Sequence, residues 1–230
     1  AAKRNLKWDL AKADWTVQHL SDIADEHQRN IVERILENYT QNIQPAFAEV
    51  RSSIIHNDAN DYNVLVDKSV ITSLIDLGDM LYTPTINELA IAAAYAMMGH
   101  ADPLSALVSM VRGYHSILPL TQKELELLFP LIQTRLAVSV TNSAIQKRLR
   151  PDDPYVVISE KPAWALLEKL EKIPPHLAYY HFLETCGLEI PNAKNVVNVL
   201  KNHAGQFATI LGERLESYHV LDLTPSSSLY

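Results

Sequence analysis

"IIHNDANDYNVLVD", residues 54–67, crowds a histidine, aspartates and asparagines into a polar loop that runs straight into an alternating apolar segment. Its reading decides between an ordinary satisfied loop in a helical protein and a reacting centre. The segments "NVLV" and "VITSLIDL" are short, rich in β-branched residues and separated by "DKS", which predicts a small hairpin over 63–66 and 70–75. This is the one strand signal in the chain, and the polar loop feeds directly into it.

Spacing sorts the side chains. Asn63 follows Asp58 by five residues, and Asp76 follows it by eighteen, at the end of the second short strand. Phosphoryl transfer of the protein-kinase type uses that order: an Asp facing the acceptor hydroxyl, an Asn holding a metal, and a later Asp on Mg²⁺ that bridges the nucleotide phosphates. The chemistry asks for positioning and for neutralisation of spread negative charge, and hard Mg²⁺ prefers carboxylate and amide oxygens. Asp58 is therefore the candidate base, Asn63 and Asp76 are the candidate metal ligands, and His56 is a candidate loop scaffold held by hydrogen bonds.

Outward from the loop the pattern is helical. Residues 8–48 carry Leu10, Trp15, Leu20, Ile31, Ile35 and Leu36 at helical spacing, which predicts one or two amphipathic helices with a break near Pro45. Thr85 with Glu88 reads as a capping box opening a helix over 86–98, although Glu88 could instead position the nearby loop. Further helices are expected over 103–117, over 122–149 behind a second capping box at Thr121 and Glu124, from Pro162 to about Leu170, over 176–186 and over 194–215. Pro130 could kink the long segment or divide it. "RPDDP" at 150–154 is a turn, and the fold class is mainly α with a small β-hairpin.

Composition narrows the function. The 230 residues are 47% hydrophobic, enough for a substantial core, and the net charge of −7 leaves no basic stripe for a nucleic-acid backbone. The lone Cys186 excludes an internal disulfide or a cysteine-rich metal site, which fits a reducing compartment, so a cytoplasmic protein is expected. The most apolar stretch, "LAIAAAYAMMG" at 89–99, is shorter than the about 20 residues of a membrane span.

"IIHNDANDYNVLVD" and "LIDLGD" resemble the catalytic and metal-binding motifs of the aminoglycoside phosphotransferase and choline kinase superfamily. "IDLGDMLYTPTINELAIAAAYAMMG" resembles its hydroxylysine kinase-like branch, and the likeness extends more weakly over residues 7–189. The resemblance implies a protein-kinase-like fold, with Asp58 as catalytic base and Asn63 and Asp76 as Mg²⁺ ligands. It also implies ATP as co-substrate and a hydroxyl on an amino alcohol or hydroxylated amino acid as acceptor. Asn57 stands where many members have Gly, a mild departure because Asn tolerates left-handed backbone.

The family's nucleotide-binding lobe is expected before Trp8, and none of the six glycines forms a Gly-x-Gly cluster. Residues 1–215 therefore read as the C-terminal lobe alone, with residues 54–67 as catalytic loop and 74–79 as the metal-binding strand end. Residues 216–230, with a Pro/Ser segment, read as a linker or the start of a following domain. In bacteria this branch also occurs fused to a class-III pyridoxal-phosphate aminotransferase, so a fused domain carrying pyridoxal phosphate is one alternative and a non-catalytic regulatory module is another. As a fragment, the chain is expected to show little kinase activity by itself.

The remaining chemistry-bearing residues have plain readings. Asp61 and Asp79 are solvated loop carboxylates, although with Asp58 and Glu88 they could make an acidic pocket for a cationic amine. His100 suits a helix C-terminus, Trp164 and "AYYHF" at 178–182 pack on helix faces, and Cys186 is a buried thiol without an activating partner.

Overall fold

The computed structural model describes residues 6–150 and 160–203. A 3-10 helix, Leu10–Asp22, bends at Lys12 and is capped by Asp9, whose carboxylate accepts from the Ala11 N–H. It is followed by α1 (Glu26–Asn38), capped by Asp25. Tyr39 fixes these two elements together: its buried hydroxyl donates to the Leu10 carbonyl at 2.9 Å and accepts from the Ala13 N–H at 3.3 Å. Burial pushes the Tyr39 phenol well above its ordinary pKa.

The break expected at Pro45 takes a different form. The chain widens into a π turn over Tyr39–Ile43, with the Gln44 N–H donating to the Tyr39 carbonyl, and then resumes as α2 (Gln44–Ala46). Proline has no N–H to continue the usual ladder, and a one-residue change of register absorbs the mismatch without ending the helix.

Two small antiparallel sheets follow instead of one. β1 (Ser52–Ile55) pairs with β4 (Leu81–Pro84), and β2 (Val64–Asp67) pairs with β3 (Val70–Leu74). The second pair is the hairpin expected from the sequence. The first pair was not legible there, because its partners lie about thirty residues apart and neither "SSII" nor "LYTP" alternates cleanly. The β1–β4 ladder brings the two ends of the loop and hairpin together at its base.

After β4 come α3 (Ile86–Ala96), α4 (Pro103–Ile117) and α5 (Gln122–Leu149). α6 (Glu160–Leu170), α7 (Pro175–Thr185) and α8 (Ala193–Asn202) complete the described chain. The 150–154 turn falls largely, and the expected extension of the last helix to 215 partly, outside the described residues. α5 runs unbroken through Pro130 and is the axis of the core: α1, α3, α6, α7 and the first 3-10 helix all pack on it. Its Leu125, Leu128, Phe129, Leu131, Ile132 and Leu136 are fully buried, each adding about 1.5–3 kcal/mol by removal from water.

The N-terminus of α5 also anchors the strands. Thr121 and Glu124 form the expected capping box. Glu124, 1% exposed, accepts a bidentate pair from Arg51 at 2.7 and 3.0 Å, and Arg51 immediately precedes β1. The Glu124 hydrogen bond raises the Arg51 pKa above its ordinary value. Four donors around one buried carboxylate leave it satisfied. The sheet that carries the loop is thereby tied to the helical core.

Candidate active site

β1 ends at Ile55 and delivers His56, Asn57 and Asp58 into the loop. Asn57 takes the left-handed backbone its type tolerates, at φ 68°, and is fully buried. Its N–H donates to Glu88 Oε2 at 3.0 Å, so α3 holds the loop from below. The capping box expected at Thr85 does not form: the Thr85 hydroxyl donates to Ser53 Oγ, and the Glu88 carboxylate is turned to the loop. Loop positioning, the second reading of Glu88, is the one the geometry shows. Of the carboxylates expected with it near the loop, Asp61 is exposed and Asp79 half-buried.

His56, almost fully buried, is braced at both ring nitrogens. Nε2 donates to the Ile75 carbonyl at 2.8 Å, and Nδ1 accepts from the Asp58 N–H at 3.3 Å, so the ring carries its proton on Nε2. The ring thus spans from the loop to the end of β3. The Ile75 N–H in turn donates to the Asn63 carbonyl at 3.0 Å. Ile75 is pinned from two sides, and the next residue is Asp76.

The Asp58 carboxylate has two different oxygens. Oδ2 accepts from Asn60 Nδ2 at 3.0 Å and Asn63 Nδ2 at 3.1 Å, and the latter amide also donates to the Asp58 carbonyl at 2.9 Å. Among the described residues Oδ1 has only a charge contact, 3.6 Å from Arg135 Nη2. The side chain keeps 27% of its surface exposed. One oxygen is therefore locked by amides, and the other is open to an incoming group.

Asn63 spends its amide hydrogens on Asp58, which leaves its amide oxygen as the atom able to meet a cation. Asp76, exposed, sits in left-handed backbone at φ 59° at the head of a 3-10 turn, Leu77–Asp79. Gly78 belongs to that turn for a steric reason: a Cβ there would lie 3.2 Å from Asp76 Oδ1. Among the described residues no three His, Cys, Asp or Glu side chains converge on one point. An amide oxygen and one carboxylate are a hard, incomplete donor set, which fits Mg²⁺ completed by waters and phosphate oxygens and does not fit a closed structural metal site.

One residue of the site escaped the sequence reading. Arg135 of α5 is 3% exposed and falls in the row Leu128, Leu131 and Val138, all buried. A cation on the apolar row of a helix was the available signal.

With this geometry in place, the comparisons are specific. A model of the phosphotransferase enzyme family matches residues 2–127, more than half of the chain and all of Asp58, Asn63 and Asp76. The chain belongs to that family. Among curated proteins it is 28% identical to the hydroxylysine kinase of Mus musculus over 178 residues, 73% of this chain and 47% of that protein. It is 28% identical to the hydroxylysine kinase of Xenopus laevis over 174 residues, 71% of this chain and 46% of that protein. The hydroxylysine kinase of Bos taurus is 26% identical over 178 residues, 73% and 47%. The chain spans about half the length of the curated relatives it matches. No solved structure matches it. No helix among the described residues is long and apolar enough to cross a membrane.

Proposed function

We infer that these residues are the base- and metal-holding half of a small-molecule kinase, which moves the γ-phosphoryl group of ATP to a hydroxyl of a hydroxylated amino acid or amino alcohol. The observation that carries this reading is the asymmetric carboxylate of Asp58, one oxygen fixed by Asn60 and Asn63 and the other open beside a surface where Asp76 is anchored through Ile75. The acceptor class follows the hydroxylysine kinases the chain is similar to.

In the reaction the acceptor O–H gives its proton to Asp58 Oδ1 while its oxygen bonds to the γ-phosphorus. The bond from phosphorus to the β,γ-bridging oxygen breaks, and its electron pair leaves on ADP. Mg²⁺, held by Asn63 and Asp76, would neutralise charge on the phosphate oxygens. His56 keeps the loop and the Asp76 strand end in register, and Glu88 fixes the loop from the helical side. These groups act by alignment, which is where most of the rate comes from in phosphoryl transfer.

The hairpin presents Val66, Val70, Ile71 and Leu74 to solvent, and the turn after it presents Leu77. An ATP-binding lobe on the N-terminal side of Trp8 would cover part of this exposed apolar hairpin and complete the nucleotide clamp.

The test is an ADP-release screen of the full-length protein against hydroxylated amino acids and amino alcohols with Mg-ATP. Turnover with at least one acceptor, lost in Asp76→Asn, is expected. No acceptor-dependent ADP release from a folded, ATP-binding protein would overturn the reading.

A further inference from the structure

Arg135 is placed where a helix core would normally carry Leu or Met. Its guanidinium carbon lies 5.0 Å from the Trp8 ring centroid and 5.4 Å from that of Tyr95, and Nη2 donates to the Tyr95 hydroxyl at 2.8 Å. Nε and Nη1 have no hydrogen-bond partner among the described residues. A buried cation with two idle donors is costly, and an apolar side chain of similar size would serve packing better. What the arginine adds is its one anionic neighbour among the described residues, Asp58 Oδ1 at 3.6 Å.

The two aromatic rings and the Tyr95 hydroxyl fix the guanidinium, so Nη2 is a stationary charge beneath the loop. The amides of Asn60 and Asn63 grip Oδ2, and Arg135 faces the other oxygen. At 3.6 Å the contact is longer than a hydrogen bond, so Oδ1 is attracted without being occupied. It stays available to a hydroxyl. Arg135 also lies beyond residues 2–127, the segment that the family model matches.

We propose that Arg135 is a positioning residue that holds Asp58 Oδ1 in line for the acceptor hydroxyl, acting through Asp58 and not through substrate. The proposal rests on Asp58 being the base. Tyr95 and Trp8 are its supports.

The experiment is steady-state kinetics of the full-length protein, with wild type, Asp58→Asn, Arg135→Met, Arg135→Lys, Tyr95→Phe and the double variant Asp58→Asn/Arg135→Met, each checked for folding by circular dichroism. Arg135→Met is expected to lower kcat by about 10–100-fold, the scale of a misplaced reacting group, with KM for acceptor and for Mg-ATP within about threefold of wild type. Arg135→Lys should restore part of kcat. Tyr95→Phe, which removes one hydroxyl, should lower it by a few-fold and keeps the proposal falsifiable where Arg135→Met does not fold. In the Asp58→Asn background Arg135→Met should cost nothing further, because two residues acting through one group are not additive.

Unchanged kcat in Arg135→Met or, if that variant is unfolded, in Tyr95→Phe would overturn the proposal. So would a rise in acceptor KM at constant kcat, which would make Arg135 a substrate contact, or a lysine variant no better than methionine, which would make it packing. These outcomes leave Asp58 as base. Retained turnover in Asp58→Asn is the separate result that removes both this proposal and the functional reading beneath it.

Discussion

The two small sheets are close in sequence and opposite in character. β1–β4 is tied down: Ile55, Leu81 and Thr83 are buried, Arg51 locks the start of β1 to the cap of α5, and Thr83 donates to the buried Asp9 at 2.8 Å. β2–β3 is exposed on both faces along nearly its whole length, Ile71 being 67% accessible. A lone two-stranded hairpin is marginal in water. Asp58 and His56 issue from the anchored ladder, whereas Asp76 hangs from the loose one. The proposed base is thus preset by the helical body, and the end that would bind metal depends on His56 and Asn63 gripping Ile75.

The largest effect separates core from hairpin. Phe129→Ala, which empties a fully buried site on α5, should cost about 3–5 kcal/mol in urea unfolding, whereas Ile71→Ser on the hairpin should stay within about 0.5 kcal/mol. Equal costs would erase the contrast between the two regions. Next comes the anchor itself: Glu124→Ala removes the carboxylate half of the capping box and the buried partner of Arg51 and should cost about 2–3 kcal/mol, softened because Arg51 can turn to water.

Asp58→Asn should destabilise the fold by about 1–2 kcal/mol, since it leaves buried Arg135 without an anion; the cost stays below that of a fully buried pair because Asp58 reaches solvent. Thermal unfolding checks this, and an unchanged midpoint would detach Arg135 from Asp58. Glu88→Ala leaves the buried Asn57 N–H without its acceptor and should reduce kcat by up to about tenfold, with about 1–2 kcal/mol lost from stability, if α3 positions the loop. The smallest effect belongs to the loose side. Gly78→Ala crowds Asp76 Oδ1 and should raise the Mg²⁺ concentration needed for half-maximal activity by less than the roughly tenfold seen when outer support of a metal ligand is lost.

Much of this was legible in the residues. The periodic helices, the hairpin and the Thr121–Glu124 cap are local in sequence, so local patterns reveal them. Thr85–Glu88 has the same pattern and a different outcome, because Ser53 and Asn57 offered partners that no window around residue 85 contains. β1 and β4 were hidden for the same reason: four-residue strands joined across about thirty residues have no local signature. The candidate base, metal ligands and scaffold came from spacing and from family resemblance, but the different surroundings of the two Asp58 oxygens did not. Only the fold separates Oδ1 from Oδ2 and brings Arg135, seventy-seven positions away, to the open one.

The most direct measurement is the turnover of folded Asp58→Asn against wild type, both full-length, with Mg-ATP and the best acceptor from the screen. The account predicts a kcat lower by about a thousandfold or more, in the upper range for loss of a positioned base, with Mg-ATP still bound. An Asp58→Asn protein that keeps kcat within a few-fold of wild type would contradict it.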